Sequence, residues 1–440
     1  MNLLLFIAYS LLCGYGILKI PFFRKSGIRP LWLLLLFAGH VLIGCIHNVI
    51  AYRYFPEHGD IWNYFRLSFL YRHRLLSEFH LFLADNSTWT YITHNGIIYI
   101  QMLLDWFSFD NMYINTLLFA FPVFLGNVAL FRVFRRRFPD DSLAATSVFW
   151  LPSVLFWTSC IYREGMLYML LGFLFYHLDR LFVRSTRRPL CYAIALFLLI
   201  AYFRIAVAII LIPALFVWWG VPYRLSRPAR RAFSATLILL FILTLSIPGL
   251  RDPLLRSVTT EQASFQVLEG HSRLPLPALD GTLASVWQTF PTAIRNGFFE
   301  PLPGSGGQPI YLAFSIELLL IWGIIILAAV RSLRPSTPGR SPARNPKSNW
   351  GEFAPINPNT PDDTSPSRAE ASAKANPAFS IACLLFALAG MLSIGFFVPF
   401  AGTIVRYRSI YLPFLLAPFL HYLRSFPLFQ TLNRWLANRL

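Results

Sequence analysis

The sequence predicts an all-α fold, a polytopic membrane helical bundle of about eleven transmembrane helices with amphipathic helices in two long outer loops. Three observations lead there. Apolar residues make up 56% of the 440 residues and charged residues only 13%, with mean hydropathy +0.54. The apolar residues gather in runs close to the ~20 residues that cross ~30 Å of hydrocarbon. The Lys and Arg residues behind the net charge of +18 fall in short clusters between those runs, on alternate connections. That alternation is what the positive-inside rule expects of cytoplasmic loops, so the charge speaks for a membrane orientation and against nucleic-acid binding.

The apolar runs lie near 2–20, 31–51, 112–133, 142–160, 165–183, 190–203, 205–222, 232–249, 310–330, 378–400 and 409–424. The first lacks a basic start and a small-residue cleavage site, so it reads as a retained span and not a signal peptide. The 190–222 region reads as two short spans broken at Arg204, which fits the charge alternation better than one re-entrant unit. Basic clusters follow every second span: Arg24, Lys25 and Arg29; Arg135, Arg136 and Arg137; Arg184, Arg187 and Arg188; Arg224, Arg227, Arg230 and Arg231; Arg331, Arg334 and Arg340. With the N-terminus outside, all of these face the cytoplasm. The stretch 91–108 carries Gln101 and Asp105 and is short, so it is expected to be an amphipathic helix at the interface and not a further span.

Residues 1–330 are thus expected to form the bundle, with outer loops 52–111 and 250–309, and residues 378–440 to supply the C-terminal transmembrane helices that complete it. Between them, 331–377 holds nine prolines in 47 residues and almost no large aliphatics, a composition that predicts a disordered cytoplasmic loop. The five cysteines (13, 45, 160, 191 and 383) sit in or beside apolar runs without a Cys-x-x-Cys pair, so they read as packing residues and not as disulfides or zinc ligands.

Charged groups recur at the span ends predicted to face outward. A charge at bilayer depth costs ~2.5–3.5 kcal/mol on insertion scales, so it pairs, lines wet space or works. Asp60 follows Glu57 and His58 just past the second run; a carboxylate beside an imidazole at the water boundary suits general-base work on a hydroxyl, and Gly59-Asp60 equally suits a helix start. The same three side chains offer ligands for a divalent metal, although His-x-Asp is a minimal pattern, and no cofactor is assigned. Arg163 and Glu164 occupy a tight turn between two runs, where Glu164 either pairs with Arg163, caps the next helix, or positions Arg163 for a phosphate. Arg204 interrupts an apolar run with no acid beside it in sequence, and Arg406 and Arg408 flank Tyr407 in the same manner. Cations without local counter-ions on the outer face favour an anionic ligand with an apolar tail. Glu300, ending an amphipathic stretch in the second outer loop, is a further candidate carboxylate.

The segment His58-Gly-Asp60-Ile-Trp-Asn-Tyr-Phe65, Pro152-Ser-Val-Leu-Phe-Trp157 leading to Arg163-Glu164, and the late Arg406-Tyr-Arg408 turn together resemble the GT-C superfamily of integral membrane glycosyltransferases, in particular bacterial members from surface-polysaccharide clusters. The resemblance spans 40–420. It implies a multi-pass enzyme of the inner (plasma) membrane that moves a sugar from a polyprenyl-phosphate carrier to a glycan or lipid acceptor on the outer face. Asp60, Glu57 or Glu300 would be the catalytic carboxylate. Arg163, Arg204, Arg406 and Arg408 would hold the carrier phosphate, with His58, Glu164 and Tyr407 in support. One departure is that the Asp loop here follows the second span, where the family has it after the first. The alternatives are an O-antigen or exopolysaccharide polymerase or ligase using similar lipid-linked chemistry, and a transporter or flippase of lipid-linked anionic glycans. A transporter should carry its charges near the midplane; here they sit at span ends.

The topology has a direct check. In a background without native cysteines, Trp350→Cys should react with a membrane-impermeant maleimide only after cells are opened. Modification from outside intact cells overturns the orientation.

Overall fold

The computed structural model describes residues 2–54, 59–87, 89–184, 187–220, 246–270, 272–304, 309–333 and 377–439. Among the described residues the chain is all-α, with no strand and a single isolated bridge between Arg273 and Phe400. Glu57 and His58, most of the run at 232–249 and most of 331–377 lie outside the described residues.

The amino-terminal half is built from α1 (Asn2–Lys19), α2 (Pro21–Arg24), α3 (Pro30–Tyr54), α4 (Asp60–Ser77), α5 (Phe79–Asp85), α6 (Trp89–Ser108), α7 (Met112–Arg137), α8 (Ser142–Trp150), α9 (Pro152–Thr158) and α10 (Arg163–Arg184). Next come α11 (Arg187–Phe203), α12 (Ile205–Gly220), α13 (Pro248–Gln266) and α14 (Leu283–Ile294), which runs into a π-helical turn, Arg295–Phe299. The rest is α15 (Pro309–Leu333), α16 (Pro377–Phe397), α17 (Ala401–Ser409), α18 (Leu412–Leu423) and α19 (Pro427–Arg439). Four helices, α3, α7, α15 and α16, are long and apolar enough to cross a membrane; α1, α11, α12 and α18 are shorter apolar helices.

Local chemistry explains most boundaries. Asn111 caps α7, its side chain accepting from the Tyr113 and Ile114 amides at 3.1 Å each. The run expected as one span over 142–160 breaks into α8 and α9, because Pro152 cannot donate to the preceding turn and holds Leu151 extended (φ −69°, ψ 119°). The predicted break at Arg204 is present between α11 and α12.

The α7 helix is the spine: it packs on α10, α3 and α8, while α16 packs on α12, α18 and α14. The α7–α10 crossing is close because both helices present glycine. A Cβ on Gly172 would strike the Gly126 carbonyl, and one on Gly126 would strike Met169. Between the two halves the core is aromatic: Phe175 stacks on Trp218 with centroids 5.3 Å apart, and Phe379, Phe386 and Phe414 surround them. At the end of α7 opposite its cap, Asp179 is shared by Arg136 (2.6 Å) and Arg137 (2.5 Å), so two residues of the predicted basic cluster form an ion pair with the bundle.

One expectation is corrected. Gln101 and Asp105 of α6 do not lie on an exposed face. Both point inward and are fully buried. Asp105 accepts from Ser68 of α4 (2.5 Å), Gln101 (2.9 Å) and Asn115 of α7 (2.5 Å). The carboxylate thereby clasps three helices, since a buried charge must be hydrogen-bonded from all sides.

The glycine crossing generates a prediction. Gly172→Val should overpack it and cost ~1–3 kcal/mol, read as a fall in the melting temperature of the detergent-solubilised protein. An unchanged melting temperature would show that the helices can separate without loss.

Candidate functional site

The helix that carries Arg406 and Arg408 is held from outside. The strand-like segment after α13 is laced to the turn between α16 and α17: the Leu274 amide donates to the Pro399 carbonyl (2.6 Å) and the Ala401 amide to Ser272 (2.9 Å). Gln262 of α13 adds a third tie, donating to the Phe396 and Pro277 carbonyls at 3.0 Å each and accepting from Leu279 at 2.7 Å.

On a helix, positions two apart point about 200° apart, so Arg406 and Arg408 cannot share a site. Arg408 turns inward, is 2% exposed, and donates to the carbonyls of Gly297 (3.3 Å) and Glu300 (2.7 Å). It closes the π turn, whose wider winding leaves carbonyls free to accept. The expected phosphate role of Arg408 is therefore replaced by a structural one. Glu300 belongs to the same junction: its carboxylate takes Arg295 Nε at 3.2 Å and the Leu302 amide at 2.9 Å and is 1% exposed. Buried and doubly bonded, it lies on the Arg408 side, away from Asp60.

Arg406 turns the other way, into a cluster assembled from three helices and the α11–α12 junction. Its Nη1 forms an ion pair with Asp60, the first residue of α4. Its Nη2 donates to the Tyr407 hydroxyl at 3.2 Å, and its Nε lies 3.7 Å from Glu164 Oε1. The same Glu164 oxygen takes Arg204 Nη1 at 3.3 Å. The guanidinium of Arg204 lies over the Tyr407 ring, 3.4 Å from its centroid. Asp60, Arg406, Glu164 and Arg204 thus form a chain of alternating charge that sums to zero. The expectation of cations without counter-ions is overturned: both acids come from positions distant in sequence, because a buried guanidinium requires a partner. The Asp60 side chain is 41% exposed and that of Glu164 3%, so one end of the chain meets solvent and the centre does not.

Glu164 sits in the first turn of α10, where the helix dipole also favours negative charge. Arg163 precedes it, half-buried, near enough for its charge to act on the Tyr64 hydroxyl of α4. Burial and the Asp60 charge push that hydroxyl above the usual tyrosine range.

Two groups escaped sequence reasoning, one beneath the cluster and one on the Arg408 side. The Tyr162 ring underlies Arg406 at 5.3 Å, and its hydroxyl hydrogen-bonds His47 Nε2 of α3 at 3.2 Å. His47 packs on Phe156 at 4.1 Å. The other is Glu317 in α15, which accepts from the Ser153 amide (3.1 Å) and hydroxyl (3.1 Å). Glu317 is the one charged residue of the run 310–330, and His47 stands beside Asn48 inside another apolar run, which is the signal that marks them.

Beside Arg204 a shallow cleft opens between α12, α13, α16 and α17. Arg204, Tyr407 and Tyr411 form its polar side, Glu261 lies at its edge, and Phe265 and Ile394 line the apolar side. Among the described residues no group of three or more His, Cys, Asp or Glu side chains is placed to hold a metal ion. What the arrangement offers is a carboxylate at the solvent edge, two guanidiniums behind it, and an apolar groove alongside.

Removing the central acid tests the cluster. Glu164→Gln leaves Arg204 and Arg406 facing each other half-buried and should destabilise the protein by ~1–3 kcal/mol. Glu164→Gln combined with Arg204→Met should recover part of that loss in thermal unfolding; strictly additive losses would mean the pair does not interact. Comparison with known proteins finds no matching family model, no similar characterised protein and no similar solved structure.

Proposed function

We propose that the protein is a multi-pass membrane glycosyltransferase of the inner (plasma) membrane, with about eleven spans and its N-terminus outside, that moves a sugar from a polyprenyl-phosphate carrier to a cell-envelope acceptor at the outer face. The observation that carries this reading is the convergence of Asp60, Arg406, Glu164 and Arg204 beside a cleft that is polar at one end and apolar along its flank. A lipid phosphate suits such a site: guanidiniums bind phosphate oxygens as a planar fork and stay charged at any depth, and Phe265 and Ile394 give the small adjoining cleft an apolar wall where a tail would begin.

The chemistry follows. The acceptor oxygen attacks the anomeric carbon of the donor. The bond from that carbon to the phosphate oxygen breaks, and its electron pair leaves with the phosphate. The acceptor proton passes to the Asp60 carboxylate. Arg406 and Arg204 stabilise the charge that develops on the departing phosphate, and Arg163 stands at the same mouth. Glu164 holds the two arginines in register. Tyr407, with one guanidinium on its ring and another on its hydroxyl, is a positioning residue.

The polymerase or ligase reading would give the lead to arginines of the second outer loop together with the other outer arginines. In that loop Arg273 donates to the Gln266 carbonyl (2.9 Å) and side chain (2.6 Å) and Arg295 to Glu300, while Arg256 is exposed.

Release of polyprenyl phosphate from a polyprenyl-phosphate sugar, measured in reconstituted membranes, tests the assignment. Asp60→Asn should lower turnover by ~10²–10⁴-fold, the usual worth of a general base, with the melting temperature kept. Arg204→Ala should raise the donor KM, and Arg204→Lys should restore it only in part because the fork is lost. Full activity in Asp60→Asn would remove Asp60 from the mechanism.

A further inference from the structure

The two terminal nitrogens of Arg406 are hydrogen-bonded, and its Nε is close to Glu164 without bonding it. Nη1 meets Asp60, Nη2 the Tyr407 hydroxyl, and Nε faces Glu164. A phosphate that takes the outer edge of the Arg406 fork, Nη1 and Nη2, meets a resident at each of those two nitrogens. The three neighbours of the guanidinium are unequal. Glu164 is almost fully buried and is shared with Arg204, so its departure would strand two cations. Tyr407 is the neighbouring residue on the same helix and carries the Arg204 guanidinium on its ring. Asp60 is 41% exposed, opens α4, and has Arg406 as its one side-chain hydrogen-bond partner among the described residues.

Charge points the same way. Within the chain Asp60–Arg406–Glu164–Arg204 two carboxylates balance two guanidiniums, so a phosphate placed on Arg406 beside Asp60 would set two anions against each other. Exchange of one anion for another keeps the balance.

We propose that Asp60 is an internal stand-in for the donor phosphate: it occupies Arg406 in the unliganded protein, and the arriving lipid phosphate displaces it and so releases it as the base. The inference rests on reading the cluster as a lipid-phosphate site. It adds an order of events. Without donor, the carboxylate is held on Arg406 Nη1 and is not free to meet an acceptor hydroxyl. With donor bound, the carboxylate swings free at the mouth where the acceptor arrives. Donor binding thus precedes activation of the acceptor.

The test is equilibrium binding of a long-chain polyprenyl monophosphate to the full-length protein in nanodiscs, followed by native mass spectrometry. Asp60→Asn removes the competitor and should tighten binding about tenfold, on the order of one charge-assisted hydrogen bond. Asp60→Glu keeps the charge and should bind no more tightly than the parent. Asp60→Ala repeats the gain with a different shape, so that a folding defect in one variant, visible in its melting curve, does not decide the outcome. Equal or weaker binding by both neutral variants overturns the exchange while leaving the lipid-phosphate site standing. No binding by any form, the parent included, overturns the lipid-phosphate reading and the exchange with it. Inorganic phosphate titrated the same way should bind far more weakly; affinity equal to that of the lipid would overturn the lipid as the source of the phosphate.

Discussion

Glu164 is buried at the first turn of α10, and a carboxylate in that position cannot stay charged alone. It needs guanidiniums, and they arrive from two remote places: the break between α11 and α12, and the short helix α17. Much else is arranged so that they can. The α11–α12 break places Arg204 at a helix junction, where its side chain reaches across. The lacing of 272–279 onto the α16–α17 turn fixes the rotation of α17. That rotation sends Arg406 toward Glu164 and Arg408 away from it.

The opposite fates of Arg406 and Arg408 show how helix geometry sorts identical chemistry. Both belong to one Arg-Tyr-Arg triplet. One is bound by carboxylates at the solvent edge, the other by backbone carbonyls in the interior. Backbone carbonyls at the end of the π turn Arg295–Phe299 take Arg408 Nη1, and the Glu317 and Glu300 carboxylates supply negative charge nearby. Tyr407 between them serves both arginines of the cluster, one through its ring and one through its hydroxyl. A single residue thus links the α11–α12 junction and α17 without adding charge.

The outer helices α4 and α6 are more than lids. Asp105 ties α4, α6 and α7 through three hydrogen bonds and so sets where α4 begins relative to the bundle. Asp60 is the first residue of that helix. The expectation that Gly59-Asp60 opens a helix holds, with Gly59 at the cap position, yet the carboxylate is drawn to Arg406 and makes no capping bond. A cap bond is worth ~1 kcal/mol, and a charged partner next to a buried acid competes with it successfully.

The all-α character was legible in composition and periodicity alone, because apolar runs of membrane length leave the backbone no other way to satisfy itself. So was the break at Arg204, where a charge interrupts an apolar run. So too were Asp60, Glu164, Arg204 and Arg406 as residues out of place, since a charge at a span end needs a reason. Who partners whom was not legible: the pairs Asp60–Arg406 and Glu164–Arg204 join residues 346 and 40 positions apart, and no local pattern encodes such contacts. The split of α8 from α9 was foreshadowed by Pro152, though its run looked continuous. The inward turn of Asp105 and the structural duty of Arg408 and Glu300 depend on which face each helix presents to its neighbours. The one-dimensional chain determined where charge had to be explained. Only the packing of the helices decided which charges meet, because burial makes each of them take whatever partner the fold brings within reach.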